Sequence, residues 1–241
     1  QTFGGITIQK GEWAYVSGND VKNAPIGTGP LGGADGIAQD PSAKLVRTRW
    51  VVIEDNVVSG ESINVGHGSE HVMVRNNVVK HDGQESFNVD GYDGTYERGI
   101  LDVYLINNTA INNASTGKFI KTFSKAAADS SAQITLTNNL YVAPKLTTGA
   151  SATAVVYVQG SNLNSFREIS NNVWPVVNAL SYAQGGAHYV WGSWSNSEGY
   201  RTGSEWESFT QVKKDYYENV TLKNTYTAST SGVVVGASLN A

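Results

Sequence analysis

Only 16% of the 241 residues are charged, the net charge is −4 and there is no cysteine, so a disulfide framework and a thiolate metal site are both excluded. Nucleic acid is excluded as a partner, because its binding rests on clustered Lys and Arg, and no apolar run reaches the ~18 residues of a membrane span. Asn, Gly, Ser and Thr replace the missing charges, which gives a polar surface suited to hydroxyl-rich ligands, and the lack of cysteine fits an exported bacterial protein, secreted or held at the cell surface.

Gln1-Thr2-Phe3 lacks the basic and apolar regions of a signal peptide. A strand begins almost at once, at Ile6-Thr7-Ile8. The chain therefore reads as a mature form or as the later part of a longer protein, with residues 1–241 forming a single domain. Residues 22–46, rich in Gly, Pro and Ala, read as an extended loop.

A repeat then organises the chain: alternating apolar residues, an Asn corner and more apolar residues. It runs Val51-Val52-Ile53-Glu54-Asp55-Asn56-Val57-Val58, then Val72-Met73-Val74-Arg75-Asn76-Asn77-Val78-Val79. Further copies lie at Val103–Thr109, Ile134–Leu140, Ile169–Val173 and Val220–Thr225. The second Asn recurs at intervals of 21, 31, 31 and 33 residues, followed by a longer step from Asn172 to Asn224. A coil of three short strands needs about 20 residues at roughly 3.3 Å each plus corners. Longer intervals mean loops inserted at corners, and such insertions gather on one face. Asn suits the corner because it tolerates the left-handed conformation a sharp bend requires. Stacked Asn side chains also hydrogen-bond from coil to coil.

A second strand follows each marker, at Ser62–Val65, Ser86–Val89, Lys118–Lys121, Val155–Val158 and Ala179–Tyr182. Residues 184–203 read as a second long loop; its Tyr189, Trp191, Trp194 and Tyr200 either cover the coil or stack on sugar rings. Ser204-x-x-Glu207 has the form of a capping box, and Trp206, Phe209 and Val212 give an apolar side, so a short helix is expected from about 205 to 214. These elements together predict an all-β fold, a right-handed parallel β-helix with inserted loops and one short helix near the C-terminus.

The apolar strands, Asn corners and inserted loops resemble the pectin-lyase-like superfamily of right-handed β-helix proteins, most closely over residues 50–182. Residues 204–222 resemble the closing segment of many exported bacterial β-helix proteins. Gly66-His67-Gly68 and Gly117-Lys118-Phe119-Ile120-Lys121-Thr122 resemble fragments of polygalacturonases, but Phe119 stands where that family has Arg, and its Asp-Asp pair has no counterpart near Gly60-Glu61. Hydrolysis of a glycosidic bond needs two carboxylates flanking it.

The richest ionisable region runs from His67 to Lys121. Superposed second strands place Asn64, Asn88 and Lys118–Lys121 on adjacent coils, with Asp90 just past its strand. His71 and Arg75 read as surface or corner residues, Lys80-His81-Asp82-Gly83 as a polar turn and Asp90–Gly94 as a turn by composition. The candidate catalytic set is His67, Asp90, Arg98, Lys118 and Lys121. Asn64, Asn88, Tyr92, Trp191 and Trp194 are candidate substrate-binding residues, and Asp90 with Asp93 is a candidate Ca2+ pair. This suits uronate chemistry, in which a cation neutralises the sugar carboxylate and a base removes the adjacent proton. The leading expectation is thus a polysaccharide-acting lyase or epimerase. The alternatives are a non-catalytic carbohydrate-binding, surface or tail-spike-like module, and a polygalacturonase-type hydrolase.

Overall fold

In a computed structural model, the residues described are 5–9, 11–29, 48–66, 69–90, 100–123, 134–146, 155–159, 166–175, 189–192, 200–201, 211–218 and 220. From Ile6 to Trp174 the described strands fall in turn into three sheets, so strands one coil apart pair while neighbours in sequence do not; Tyr189–Gly192 and Tyr200–Arg201 are the exception. Sheet A contains β1 (Ile6–Ile8), β4 (Ile26–Thr28), β7 (Ile63–Val65) and β10 (Glu85–Asp90). It continues through β13 (Lys118–Phe123), β16 (Val156–Gln159), β19 (Tyr189–Gly192) and β20 (Tyr200–Arg201). Sheet B contains β2 (Glu12–Ser17), β5 (Thr48–Glu54), β8 (Ser69–Arg75), β11 (Leu101–Ile106), β14 (Ile134–Thr137) and β17 (Phe166–Ser170). Sheet C contains β3 (Asp20–Lys22), β6 (Val57–Ser59), β9 (Val78–His81) and β12 (Thr109–Asn112). Its last members are β15 (Leu140–Val142), β18 (Val173–Trp174) and β21 (Tyr216–Tyr217). All pairings are parallel except β19 with β20. The fold is a right-handed parallel β-helix, the hand that parallel crossovers adopt.

Like residues stack on like inside the coil. On sheet B the inward column is Val51–Val72–Val103–Ile134–Phe166, and on sheet A it is Ile26–Ile63–Phe87–Ile120–Val156, all buried. Period-two alternation turns these side chains inward and their neighbours outward. Phe119 packs centrally, with ring centroids 4.9 Å from Phe87, 5.8 Å from Tyr141 and 5.1 Å from Trp174.

The B-to-C corner carries the expected asparagines, with a different job for each member of the pair. The first residue (Asp55, Asn76, Asn107, Asn138 or Asn171) sits in the left-handed region at φ 56°. The second forms a ladder, buried from Asn56 on: Asn19, Asn56, Asn77, Asn108, Asn139 and Asn172 each donate, from backbone N–H and from Nδ2, to the side-chain oxygen one coil on. The last acceptor is Asp215 Oδ1, while Asp215 Oδ2 accepts the Trp174 indole N–H at 2.8 Å. The Asp215 carboxylate accepts all three of these bonds and has no side-chain N–H of its own.

Three expectations change. The ladder position after Asn172 is Asp215, a charged side chain in the Asn role within the long step to Asn224, and Asn224 itself lies outside the described residues. The segment read as a loop at 22–46 contains β4, and that at 184–203 contains β19 and β20. Of the expected helix at 205–214, residues 205–210 lie outside the described residues. Residues 211–214 are not helical, and Val212 bridges Ile169 in parallel as the next rung of sheet B. The expected strand at Ala179–Tyr182 also lies outside the described residues; β19 occupies that coil's place in sheet A.

Asn108→Ala removes the acceptor of the Asn77 N–H and the donor to the Val74 carbonyl, both in the interior. Buried groups left unpaired cost ~1–3 kcal/mol each, so a loss of about 2–4 kcal/mol is expected in urea unfolding. Asn113→Ala, at an exposed corner, is expected to stay within roughly 0.5 kcal/mol of the native chain.

Candidate functional site

Side chains on the outer face of sheet A form one row across successive coils: Asn64, Asn88, Lys121 and Tyr157 stand directly opposite one another in register. Coils are about 4.8 Å apart, so this row presents a polar group at each step along the helix axis. Asn88 Oδ1 is shut off from solvent and accepts no hydrogen bond from another residue. The Lys121 ammonium lies 3.6 Å from Glu85 Oε1. Lys118, paired with Glu85 in the ladder, reaches the next coil, where its Nζ is 5.4 Å from the centre of the Tyr157 ring. Burial lowers the Lys118 pKa below the ordinary lysine range against the pull of Glu85, and burial raises that of the Tyr157 phenol.

Of the expected catalytic set, Lys118 and Lys121 thus share one strand with Asn64 and Asn88 beside them. Asp90 ends β10, inside the strand and not past it, with its backbone opposite Phe123. His67, Tyr92, Asp93, Arg98 and Trp194 lie outside the described residues, so neither the Ca2+ pair nor the His67 role can be drawn from geometry. Trp191 stands in backbone register with Val158. Among the described residues, no group of three or more His, Cys, Asp or Glu side chains is placed to hold a metal ion. Gly66 has a structural cause: a Cβ there would come within 2.6 Å of the Thr28 carbonyl oxygen.

The stretch read as a polar turn at Lys80–Gly83 begins inside β9, and His81 is buried. Its Nδ1 accepts the Gln84 N–H at 3.2 Å, which leaves Nε2 to carry the proton and donate to Ser86 Oγ at 2.6 Å. Ser86 in turn donates to the Lys118 carbonyl. The ring is held neutral, and burial pushes its pKa down to about 4 despite Asp82 and Glu85, with Lys118 adding to the depression. This chain of bonds fixes the backbone from which Lys118 projects.

A second cluster escaped the sequence reading. On the outer face of sheet B, Trp13, Trp50, His71 and Asp102 occupy one column, each six residues before its ladder Asn. All four are in the left-handed region, at φ 61°, 56°, 53° and 50°. Such a conformation is a genuine outlier for bulky side chains. Trp13 stacks on Trp50 (centroids 5.3 Å, planes 8° apart) and Trp50 on His71 (4.0 Å, 13°). His71 Nδ1 is 3.2 Å from Asp102 Oδ2, and Asp102 Oδ1 pairs with Arg167, which also donates to Tyr104 OH at 3.0 Å. His71, read from the sequence as a surface or corner residue, is a member of β8 and of this stack. The constant offset from the Asn marker was the available signal; the mixed residue types, Trp, Trp, His and Asp, concealed it.

Comparison with protein-family models, curated proteins and solved structures yields no match to this chain.

Because the folded His81 keeps a pKa near 4 while an exposed histidine titrates near 6.5, the unfolded chain binds the extra proton between these values. The stabilisation is complete above pH 6.5 and falls as pH drops toward 4, by on the order of 3 kcal/mol. Urea midpoints from pH 7.5 to 4.5 should show this slope in the native chain, and a shallower one in His81→Gln.

Proposed function

We propose that this chain is an exported, carbohydrate-active β-helix protein of the pectin-lyase-like kind, acting on a polyuronide as a lyase or epimerase. The observation that supports this reading is the outward row on sheet A. There, two lysines in different electrostatic settings stand on one strand beside Asn64, Asn88 and Tyr157.

A polyuronide lying along the axis places successive sugars against successive coils. The Lys121 ammonium faces the uronate carboxylate and offsets its charge, which acidifies the C5 proton. Lys118, its pKa lowered by burial, takes that proton as the general base. In the lyase reaction the C5–H electron pair becomes the C4=C5 double bond and the C4–O bond breaks. The leaving oxygen receives a proton from the Tyr157 phenol, which burial keeps protonated. In the epimerase reaction C5 regains a proton on its opposite face and the C4–O bond survives.

The test is the ultraviolet absorbance of 4,5-unsaturated uronate from a panel of polyuronides, with C5 proton exchange read by NMR for epimerisation. Lys118→Met is expected to lower kcat by roughly a hundredfold or more, and the acid limb of the native kcat/KM profile should lie below the ordinary lysine range. Lys121→Met should raise KM as well. No product and no exchange on any polyuronide would overturn the reading and favour a non-catalytic binding module.

A further inference from the structure

Trp13, Tyr15 and Trp50 are the large hydrophobic side chains exposed among the described residues, at 75%, 64% and 44%, and all three lie on the outer face of sheet B. We propose that the Trp13–Trp50–His71 stack, with Tyr15 beside it, is a binding site for a neutral glycan, separate from the row on sheet A.

The geometry argues for a ligand at Trp13. One face of its indole lies on Trp50, and no described strand lies against the other, since β2 is the outermost described strand of sheet B and Trp13 is 75% exposed. Four successive coils hold non-glycine residues in a strained conformation at this one register position. Strain of this sort clusters at ligand sites. An exposed indole face offers the C–H side of a pyranose ring an apolar, polarizable surface, while the rim of the site supplies hydrogen bonds.

Charge identifies the kind of glycan. Every ionic group described around the stack is matched within the protein. Arg49 lies between Glu70 (2.8 Å) and Glu12 (3.8 Å). Glu54 takes both the Tyr15 hydroxyl and Arg75, and these two hold its pKa below the usual carboxylate range. Asp102 binds His71 and Arg167. A uronate carboxylate would have to break one of these pairs, whereas a hydroxyl can share them as donor or acceptor. Protein partners also favour Trp, Tyr and Arg, but a face of fully paired charges offers no complementary field to steer one.

The experiment measures binding of the full-length chain to soluble neutral polysaccharides (hydroxyethylcellulose, xyloglucan, galactomannan) and to polygalacturonate, by affinity electrophoresis and tryptophan fluorescence titration. Trp13→Asn removes the ring while keeping a residue that tolerates the left-handed conformation, and Trp50→Asn does the same one coil on. The native chain is expected to bind at least one neutral polysaccharide, and Trp13→Asn to weaken it about tenfold, with melting temperature and any uronide turnover unchanged. Lys118→Met should show the converse pattern, so failure at one face is distinguishable from failure at the other. Retained affinity in Trp13→Asn, binding of polygalacturonate alone, or a concentration-dependent dimer that Trp13→Asn dissolves without any glycan binding would each overturn the proposal. So would a chain in which Trp13→Asn lowers only the melting temperature, since the stack would then be purely structural.

Discussion

The register between coils is the constraint on which the structure depends, and the side-chain ladder from Asn19 to Asp215, buried from Asn56 on, imposes it. Each Asn from Asn56 to Asn172 is engaged on both sides: its oxygen receives two N–H bonds from one coil and its own N–H groups pass two to the next. The Nδ2 also reaches a backbone carbonyl, as Asn108 does to Val74 and Asn139 to Leu105. A slip of one residue would bury polar amides against apolar strands and turn the valine columns to water. Because all the amides point the same way, each bond polarises the next, and the carboxylate of Asp215 receives the sum.

Register translates into function because it brings residues far apart in sequence into line. Lys121 and Tyr157 become neighbours on sheet A only because their strands start in step. The same alignment on sheet B brings Trp13, Trp50 and His71 to stacking distance. The two faces differ in electrostatic character. On sheet A, Lys118 and Lys121 stand close to the Glu85 carboxylate, while on sheet B each cation described meets at least one carboxylate. One scaffold thereby presents two outer faces of different charge balance, the basis of the two proposed sites.

The architecture was legible because its cause is periodic: the Asn pairs mark four of the ladder's intervals directly, from Asn56 to Asn172. The ends were obscured. Asn19 follows Gly18 instead of a second Asn, and Asp215 has neither an Asn neighbour nor the expected spacing. Strand β4, only three residues among Gly and Pro, carries too short a pattern to be told from a loop. On sheet A, Asn64, Asn88 and Lys121 could be aligned from the sequence because strand position alone determines which coil faces which. The environments of Lys118 and His81 could not, since burial and hydrogen-bond partners arise only from three-dimensional packing. The aromatic column was missed for a different reason. Its members share a backbone conformation and not a residue type, and sequence similarity between repeats registers only the latter.

The ladder also determines how such a chain can change in length. One amide-to-amide interval is a closed unit: its strands meet equivalent strands above and below, and its Asn accepts from and donates to identical partners. Removing the stretch from Asn77 up to Asn108 would bring Asn56 against Asn108 with the ladder's donors and acceptors still matched, whereas cutting into one of its strands would leave a coil unable to close. Growth and shrinkage by whole turns are therefore the inexpensive evolutionary moves, and diversification within a turn is confined to the connections between sheets.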